Sequence, residues 1–550
     1  MPTQKPQPNS KIEAPAPAGA FSGTVQPWRV LRTLAARPGL WLALAALALL
    51  GYGYAMTTPA VDMDDLAIAT YQQGGEFLRQ GRFTVWLLQA ATGIMRYQRF
   101  WPELFFAVSL LLAGLVLAAV LYTAAQTPPQ TAGALLLAGG LLLWPYHGEI
   151  LMYANQCGVG FGYLLCALAL ALCMRWVLVG GRRFLPYLGG TVLLAFALGL
   201  YESFAPVWLT LLFAVLLLDA RAAAPHTRAT KQILPPVGRG VLALVLALLW
   251  RGALAAALRA ALGVTGGNDT AGKTIFWFTR GSLKEALVIP LREFLGNYGA
   301  LAFAVPALAL LALACLAFLA WLCAHRFGNG KTLLGAGLLL SQFALGLLQG
   351  TGSQMARASQ CFAVFVPFAA WLWLAPALAR ASRTKRALAV LLAVALLGVE
   401  CLSLNDTLAL NRARWRYEED VLQSVAAELQ TIDPDGTLPV AFTGEVALPD
   451  DLTARITVPA SNPAYKAAWV IHALLGGPMG TLAWCENPQT LVINWAQTAF
   501  GGHDQMYLLM EQIGRPCAAA TPDQQAAADA LAQTLESGVT RQDGYLLVKF

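Results

Sequence analysis

Three carboxylates fall within four residues in Val61-Asp62-Met63-Asp64-Asp65-Leu66, directly after a long apolar run. Carboxylates this close repel one another, which raises at least one pKa and suits that group to accept a proton near neutral pH. Gly81-Arg82 follows on the same stretch and supplies a cation. Between them, Leu66 to Leu88 carries Tyr71, Phe77, Phe83 and Trp86 in an amphipathic pattern suited to a membrane interface, with Glu76 as a further polar candidate. Together these residues could deprotonate a hydroxyl and hold an anion beside a bilayer.

Other candidates are scattered along the chain. His147 and Glu149 form a second pair at a helix boundary, suited to capping or to holding a substrate. Arg357, in Gln354-Met355-Ala356-Arg357-Ala358-Ser359-Gln360, could reach ordinary lipid headgroups or clamp a phosphate. Arg251 lies inside an apolar helix, where an ionisable residue is paired or functional. Phe276, Trp277 and Phe278 could stack on a sugar or a lipid tail, or simply belong to an interfacial aromatic belt.

The elements that must position these residues follow from composition. The chain has 550 residues, 57% hydrophobic and only 12% charged, about half the charged share of a soluble domain. With a mean hydropathy of +0.56, disorder, coiled coil, collagen and a disulfide miniprotein are excluded. The net charge of +7 comes from Lys and Arg in short groups between apolar runs, which argues against nucleic acid as a partner. A spanning helix needs about 20 apolar residues. About eleven segments qualify, near 38–58, 100–124, 131–146, 153–177, 184–200, 203–219, 239–262, 299–323, 333–350, 359–379 and 386–404.

With the N-terminus inside, the cytoplasmic segments hold about 18 Lys and Arg and the outer loops about nine, so the positive-inside rule fixes the orientation. Residues 59–99, 147–152, 263–298 and 351–358 are then outside, with everything after 405. The first apolar run could also be read as a signal peptide, which would leave residues 59–99 on the same side. Residues 1–30 read as a disordered cytoplasmic tail and 31–404 as the transmembrane domain, with 59–99 its chemically interesting first outer loop. Residues 405–550 read as a soluble α/β domain. Its expected elements are an amphipathic helix from 411 to about 430, strands at Leu438–Phe442, Arg455–Val458 and Tyr545–Phe550, and helices at 463–475, 505–513 and 523–536. Seven cysteines fall in or beside apolar helices. Cys485 and Cys517 lie in the outer domain, where an oxidising compartment favours a disulfide between them. No cysteine or histidine cluster has zinc-ligand spacing, and His472, His503 and Asp504 show no catalytic spacing.

Two motifs mislead. Gly267-Asn268-Asp269-Thr270-Ala271-Gly272-Lys273-Thr274 matches the phosphate-binding loop pattern, but a membrane helix precedes it instead of a buried strand. What survives is Lys273 as a contact for a lipid phosphate. Asp62-Met63-Asp64 spells the D-x-D of sugar-nucleotide transferases, yet it lies on the side of the membrane that lacks nucleotide sugars.

Asp64-Asp65-Leu66 followed by Gly81-Arg82 and an amphipathic segment resembles the Gtr-type O-antigen glucosyltransferases, members of the GT-C class. The resemblance extends to Trp144-Pro145-Tyr146-His147-Gly148-Glu149 and to Tyr201-Glu202, where the family has Tyr-Gln. It implies an α-helical polytopic membrane protein of GT-C-like fold, with about eleven transmembrane helices and a C-terminal soluble α/β domain in the periplasm of a bacterium with an inner membrane. The donor would be a sugar, glucose for this family, on a polyprenyl phosphate. The acceptor would be O-antigen or another surface glycan. Asp64 or Asp65 would be the general base, the other orienting the acceptor or a divalent cation. Arg82, Arg357 and Lys273 would face the donor phosphate, and Asp62, Tyr71, Glu76, His147, Glu149, Tyr201 and Glu202 would bind substrate. Rival readings are transfer to a protein, a pilin or lipid A, and a lipid-linked sugar flippase, for which polar residues at the midplane and inverted repeats would be expected.

Overall fold

The computed structural model describes residues 26–58, 60, 61, 65, 68, 72–95, 100–180, 184–222, 230–266, 305–324, 329–345, 359–380, 382–444, 446, 448–456 and 503–550. Each of the eleven expected apolar segments is helical over most of its described part. Among the described residues, seven helices are long and apolar enough to cross a membrane.

The chain begins with α1 (Pro27–Ala35) and α2 (Pro38–Thr57), each with a proline in its first turn, where the missing N–H costs nothing. Two short helices follow, α3 (Glu76–Arg79) and α4 (Phe83–Thr92). The buried centre is built from α5 (Trp101–Ala125), α6 (Thr131–Leu142), the short α7 (His147–Leu151) and α8 (Gly158–Val179). Around it stand α9 (Leu185–Leu200), α10 (Phe204–Ala222), α11 (Thr230–Ala261), α12 (Val305–Ala324), α13 (Asn329–Ser341) and α14 (Phe362–Arg380). The 50-residue α15 (Arg383–Ile432) completes the helical part. Helices α5, α8 and α10 are buried along most of their length, whereas α11 and residues 387–402 of α15 leave most of their apolar residues exposed, as helices facing lipid would.

Small residues bring the central backbones together, the device that replaces the hydrophobic drive between helices in lipid. A Cβ on Gly114 would lie 2.7 Å from the Ala138 Cα, and one on Gly160 would lie 2.6 Å from the Phe106 carbonyl oxygen. These contacts join α5 to α6 and to α8. Aromatic rings fill the space they frame: Tyr52, Phe106, His147, Tyr163 and Phe204 form an unbroken series of edge-on contacts across the bundle.

After α15 come β1 (Val440–Thr443), α16 (Asp450–Ile456), α17 (His503–Gln512), α18 (Pro522–Leu531), β2 (Gly538–Gln542) and β3 (Tyr545–Lys549). The sheet order is β1-β3-β2, with β1 parallel and β2 antiparallel to β3. Strand alternation sends Val440, Phe442, Leu546 and Val548 to one face, against Trp415, Leu422, Val425 and Leu429 of α15 and against Val61. Ala441, Tyr545 and Leu547 take the other face, against Ala528 of α18.

Several expectations are corrected. Residues 27–30, assigned to the disordered tail, begin α1, because Val30, Leu31 and Leu34 give that helix an apolar side packed on the bundle. The segment 147–152, expected as an outer loop, is mostly α7 and fully buried. The boundary at 405 falls inside a continuous helix: neither glycine nor proline interrupts α15 between 399 and 432, so the amphipathic helix expected from 411 is its extension. Arg455 and Ile456, expected in a strand, close α16. β2 was not anticipated, since Gly538-Val539-Thr540-Arg541-Gln542 holds a single strongly apolar residue.

Candidate functional site

The site grows from the stretch of chain that follows α2, where Asp65 is helical. Asp65 is buried, and its Oδ1 accepts the Ala154 amide N–H at 2.7 Å. Ala154–Gln156 is a single tight helical turn between α7 and α8, so one carboxylate is tied to the point where the chain re-enters the bundle. Asp65 also lies within electrostatic range of the Cys157 thiol, as does Glu103 in the first turn of α5.

Asn155 and Gln156 on that turn line a narrow cleft. Phe77, Arg82, Val85, Gly158, Val159, Leu200 and Tyr201 line the rest. Arg82 precedes α4, and its guanidinium stands over the Tyr201 ring, 4.6 Å from the centroid. Gly81 adopts φ +73°, a conformation that disfavours any side chain, and a Cβ there would approach the Arg251 Nη2 at 3.2 Å. Arg251 in turn lies 3.9 Å from the Glu202 Oε2. Its Nε is buried with no hydrogen-bond partner among the described residues.

Arg251 thus pairs with Glu202 while Arg82, on the lining of the cleft, adds a second positive charge that acts on Arg251. The cluster keeps a net positive charge and an unmet donor, which is the requirement for holding an anion. Arg251, which sequence left open between structural pairing and carrier binding, is brought to this cluster by the packing of Leu78 and Phe83 on Ala255 of α11.

Glu76 is engaged elsewhere: its Oε2 accepts from Arg79 Nε at 3.1 Å and its Oε1 from Gln80 at 2.9 Å. That ion pair shapes the short helix α3, while Arg79 Nη2 donates to the Gly74 carbonyl. Glu149 is buried within α7, and its charge acts on the buried Tyr146 phenol beside it.

His147 is fully buried, away from the cleft surface where a substrate would meet it. Its Nε2 lies 2.9 Å from the Leu141 carbonyl oxygen, which can only accept, so Nε2 carries the proton. Nδ1 keeps its lone pair and has no partner among the described residues. Burial pushes the His147 pKa down to about 3, so the ring is neutral. His147 therefore stands as a neutral member of the aromatic series.

Asp62, Asp64, Tyr71, Lys273, Arg357, Phe276, Trp277, Phe278, His472 and Cys485 lie outside the described residues, and the side chains of His503 and Asp504 are likewise not described. Gln360, three residues after Arg357, packs beside the site: Ser203 donates to its side-chain oxygen, and the Tyr163 hydroxyl donates to its backbone carbonyl at 2.8 Å. Cys517 is a free, half-buried thiol against the C-terminal sheet, and burial raises its pKa to about 11. No group of three or more metal-ligating side chains occurs among the described residues.

Sequence reasoning missed Asn155 and Gln156, whose only signal was a polar pair inside an apolar stretch. It also missed Glu103 and Glu400. The Glu400 carboxylate is fully buried in α15, with neither oxygen bonded among the described residues. Intramembrane acids are detectable by eye in such an apolar chain, but only packing tells which ones face inward.

The family model described as glucosyl transferase GtrII matches residues 53–373, more than half of the chain and the whole stretch from the acidic loop to α14. The protein belongs to this glucosyltransferase family. No curated protein and no solved structure matches it.

Proposed function

We propose that this membrane glucosyltransferase takes glucose from a polyprenyl-phosphate donor at the outer face of a bacterial inner membrane and passes it to O-antigen or another surface glycan. The observation that carries this reading is the pair Arg82 and Arg251: Arg82 lines one cleft with Tyr201 and the turn that binds Asp65, and Arg251 stands beside it against Glu202. A lipid phosphate leaving group needs cations within hydrogen-bonding reach, and an acceptor hydroxyl needs a carboxylate.

In this mechanism a carboxylate of Asp64 or Asp65 removes the acceptor proton as the hydroxyl oxygen attacks the anomeric carbon. The bond to the phosphate oxygen breaks on the opposite face, inverting the centre. Base catalysis of this kind contributes about 10²–10⁴-fold. Because one Asp65 oxygen already accepts the Ala154 amide, Asp65 suits the orienting role and Asp64 the base. Arg82 and Arg251, joined by Arg357 and Lys273, receive the charge that develops on the phosphate. Tyr201 and Glu202 take the sugar side, with Asp62 and Tyr71 on the acceptor side. A divalent cation on the acidic cluster is an alternative way to orient the acceptor. Residues 405–550 would then be a periplasmic domain covering the active face.

The deciding experiment reconstitutes the full chain in proteoliposomes with polyprenyl-phosphate-[¹⁴C]glucose and a lipopolysaccharide acceptor. Asp64→Asn should abolish transfer and Asp65→Asn should reduce it by at least about 10²-fold, both at normal protein level. Transfer that persists with both residues substituted would exclude the mechanism. Movement of labelled donor across the bilayer without transfer would favour the flippase.

A further inference from the structure

Arg414 has no exposed surface, although it lies on the part of α15 expected to project into solvent. Its Nη1 donates to the Glu418 Oε2 at 2.7 Å, and its Nε and Nη2 donate to the Asn411 Oδ1 at 3.1 and 2.9 Å. Asn411 and Glu418 stand three residues before and four after Arg414, so all three share one helix face. The remaining reach of the guanidinium is used across the chain: Nη2 donates to the Val61 carbonyl oxygen at 2.8 Å.

Val61 is the residue immediately before the acidic segment. Its side chain is itself buried, in the core formed by Trp415, Leu422, Phe442 and Leu546. Four residues on, Asp65 is bonded to the Ala154 amide. The stretch that carries the carboxylates is therefore tied at one end to the helix leaving the bundle and at the other to the turn before α8. Apolar packing alone would bury Val61 as well. It would not fix the backbone register, which a directional bond from a guanidinium locked on two sides does. A buried ion pair adds little stability over an apolar pair of the same volume, so its value here is geometric.

We propose that Arg414, held by Asn411 and Glu418, is a positioning residue for the acidic segment, and that the extension of α15 is thereby part of the catalytic unit. The catalytic half of this proposal rests on the transfer reading above; the anchoring half does not. Displacing a reacting group by about 1 Å costs up to about 10²-fold in rate, which sets the scale of the effect.

The test uses the full chain in nanodiscs. The double variant Arg414→Met/Glu418→Leu removes both charges together, so neither is left buried alone and the fold survives. Its thermal midpoint should stay at or above that of the unsubstituted protein. Its kcat should fall about 10- to 100-fold while the donor KM changes by less than about threefold. Arg414→Lys, which keeps the charge but loses the fork, should retain part of the turnover. Independently of any donor, Val61→Cys should react with a maleimide at least about tenfold faster in the double variant, because the anchor on its carbonyl is gone. An unchanged kcat in a folded double variant, or a kcat that merely follows the folded fraction, would overturn the positioning role. An unchanged alkylation rate would overturn the anchor even if the unsubstituted protein transferred no glucose, whereas a raised rate in that case would support the anchor and discard the donor reading.

Discussion

The Arg82 guanidinium stands 4.6 Å from the centroid of the Tyr201 ring, joining the turn between α3 and α4 to the turn between α9 and α10 across some 120 residues of chain. A cation over an aromatic face keeps its in-plane N–H groups free for an anion while the ring fixes its position. The contact is worth about 0.5–2 kcal/mol depending on its desolvation. Arg82→Ala and Tyr201→Leu should each lower kcat/KM for the donor, and a double-mutant cycle should return a coupling of about that size. Strict additivity would show that the ring does not orient the cation.

A Cβ on Gly81 would crowd the Arg251 Nη2 at 3.2 Å. Gly81→Ala adds backbone strain of about 1 kcal/mol and pushes against the guanidinium. Donor KM should rise about five- to tenfold, with Arg251→Gln giving the same direction and a larger size, read by steady-state kinetics at normal expression. An unaffected KM in both variants would remove Arg251 from the anion site.

His147 supplies the pH dependence. Its pKa lies at about 3 in the folded protein and about 6.5 in an unfolded chain, so the unfolded state binds the extra proton first. The stability that this ring contributes is fully present above pH 6.5 and is lost as pH falls toward 3, with a slope of up to about 1.4 kcal/mol per unit. Thermal unfolding in detergent should show this acid-side loss, and His147→Phe should flatten it. An identical pH profile in the variant would mean that other groups dominate.

Backbone contact across the bundle centre predicts a sharp contrast between two glycines. Gly160→Ala would drive a methyl to 2.6 Å from the Phe106 carbonyl oxygen, while nothing lies within 4 Å of a Cβ on Gly189. The first should lower stability by about 1–3 kcal/mol through overpacking, and the second should be neutral or slightly stabilising. Thermal midpoints of the two variants decide the matter. Equal midpoints would mean that α5 and α8 do not meet at Gly160.

Much of the helical plan was legible because a spanning helix announces itself by composition over some 20 residues. The start of α2 at Pro38 was legible, while that of α1 at Pro27 was read as tail. Elements whose existence depends on partners were not. α7 looks like a polar loop in Tyr146-His147-Gly148-Glu149, and only its contacts with Phe106, Leu141, Tyr163 and Thr407 of the surrounding helices make it a buried helix. β2 carries almost no apolar pattern of its own and is ordered by pairing along β3.

The candidate site divides in the same way. Sequence alone determined that acids, a cation and an interfacial aromatic face occur on one loop beside a membrane, since spacing and charge are local properties. Arg82 and Tyr201 could each be named there, yet their contact could not, because it depends on how α4 packs against α9. Tertiary structure alone decided that Arg251 reaches Glu202 from α11, that His147 is enclosed in a ring series, and that Arg414 grips the backbone at Val61. Each of these joins residues 49 to 353 positions apart or buries a group that the sequence placed in solvent. Hydrogen bonds and ion pairs act over a few ångströms, and only the folded chain sets which distant residues come that close.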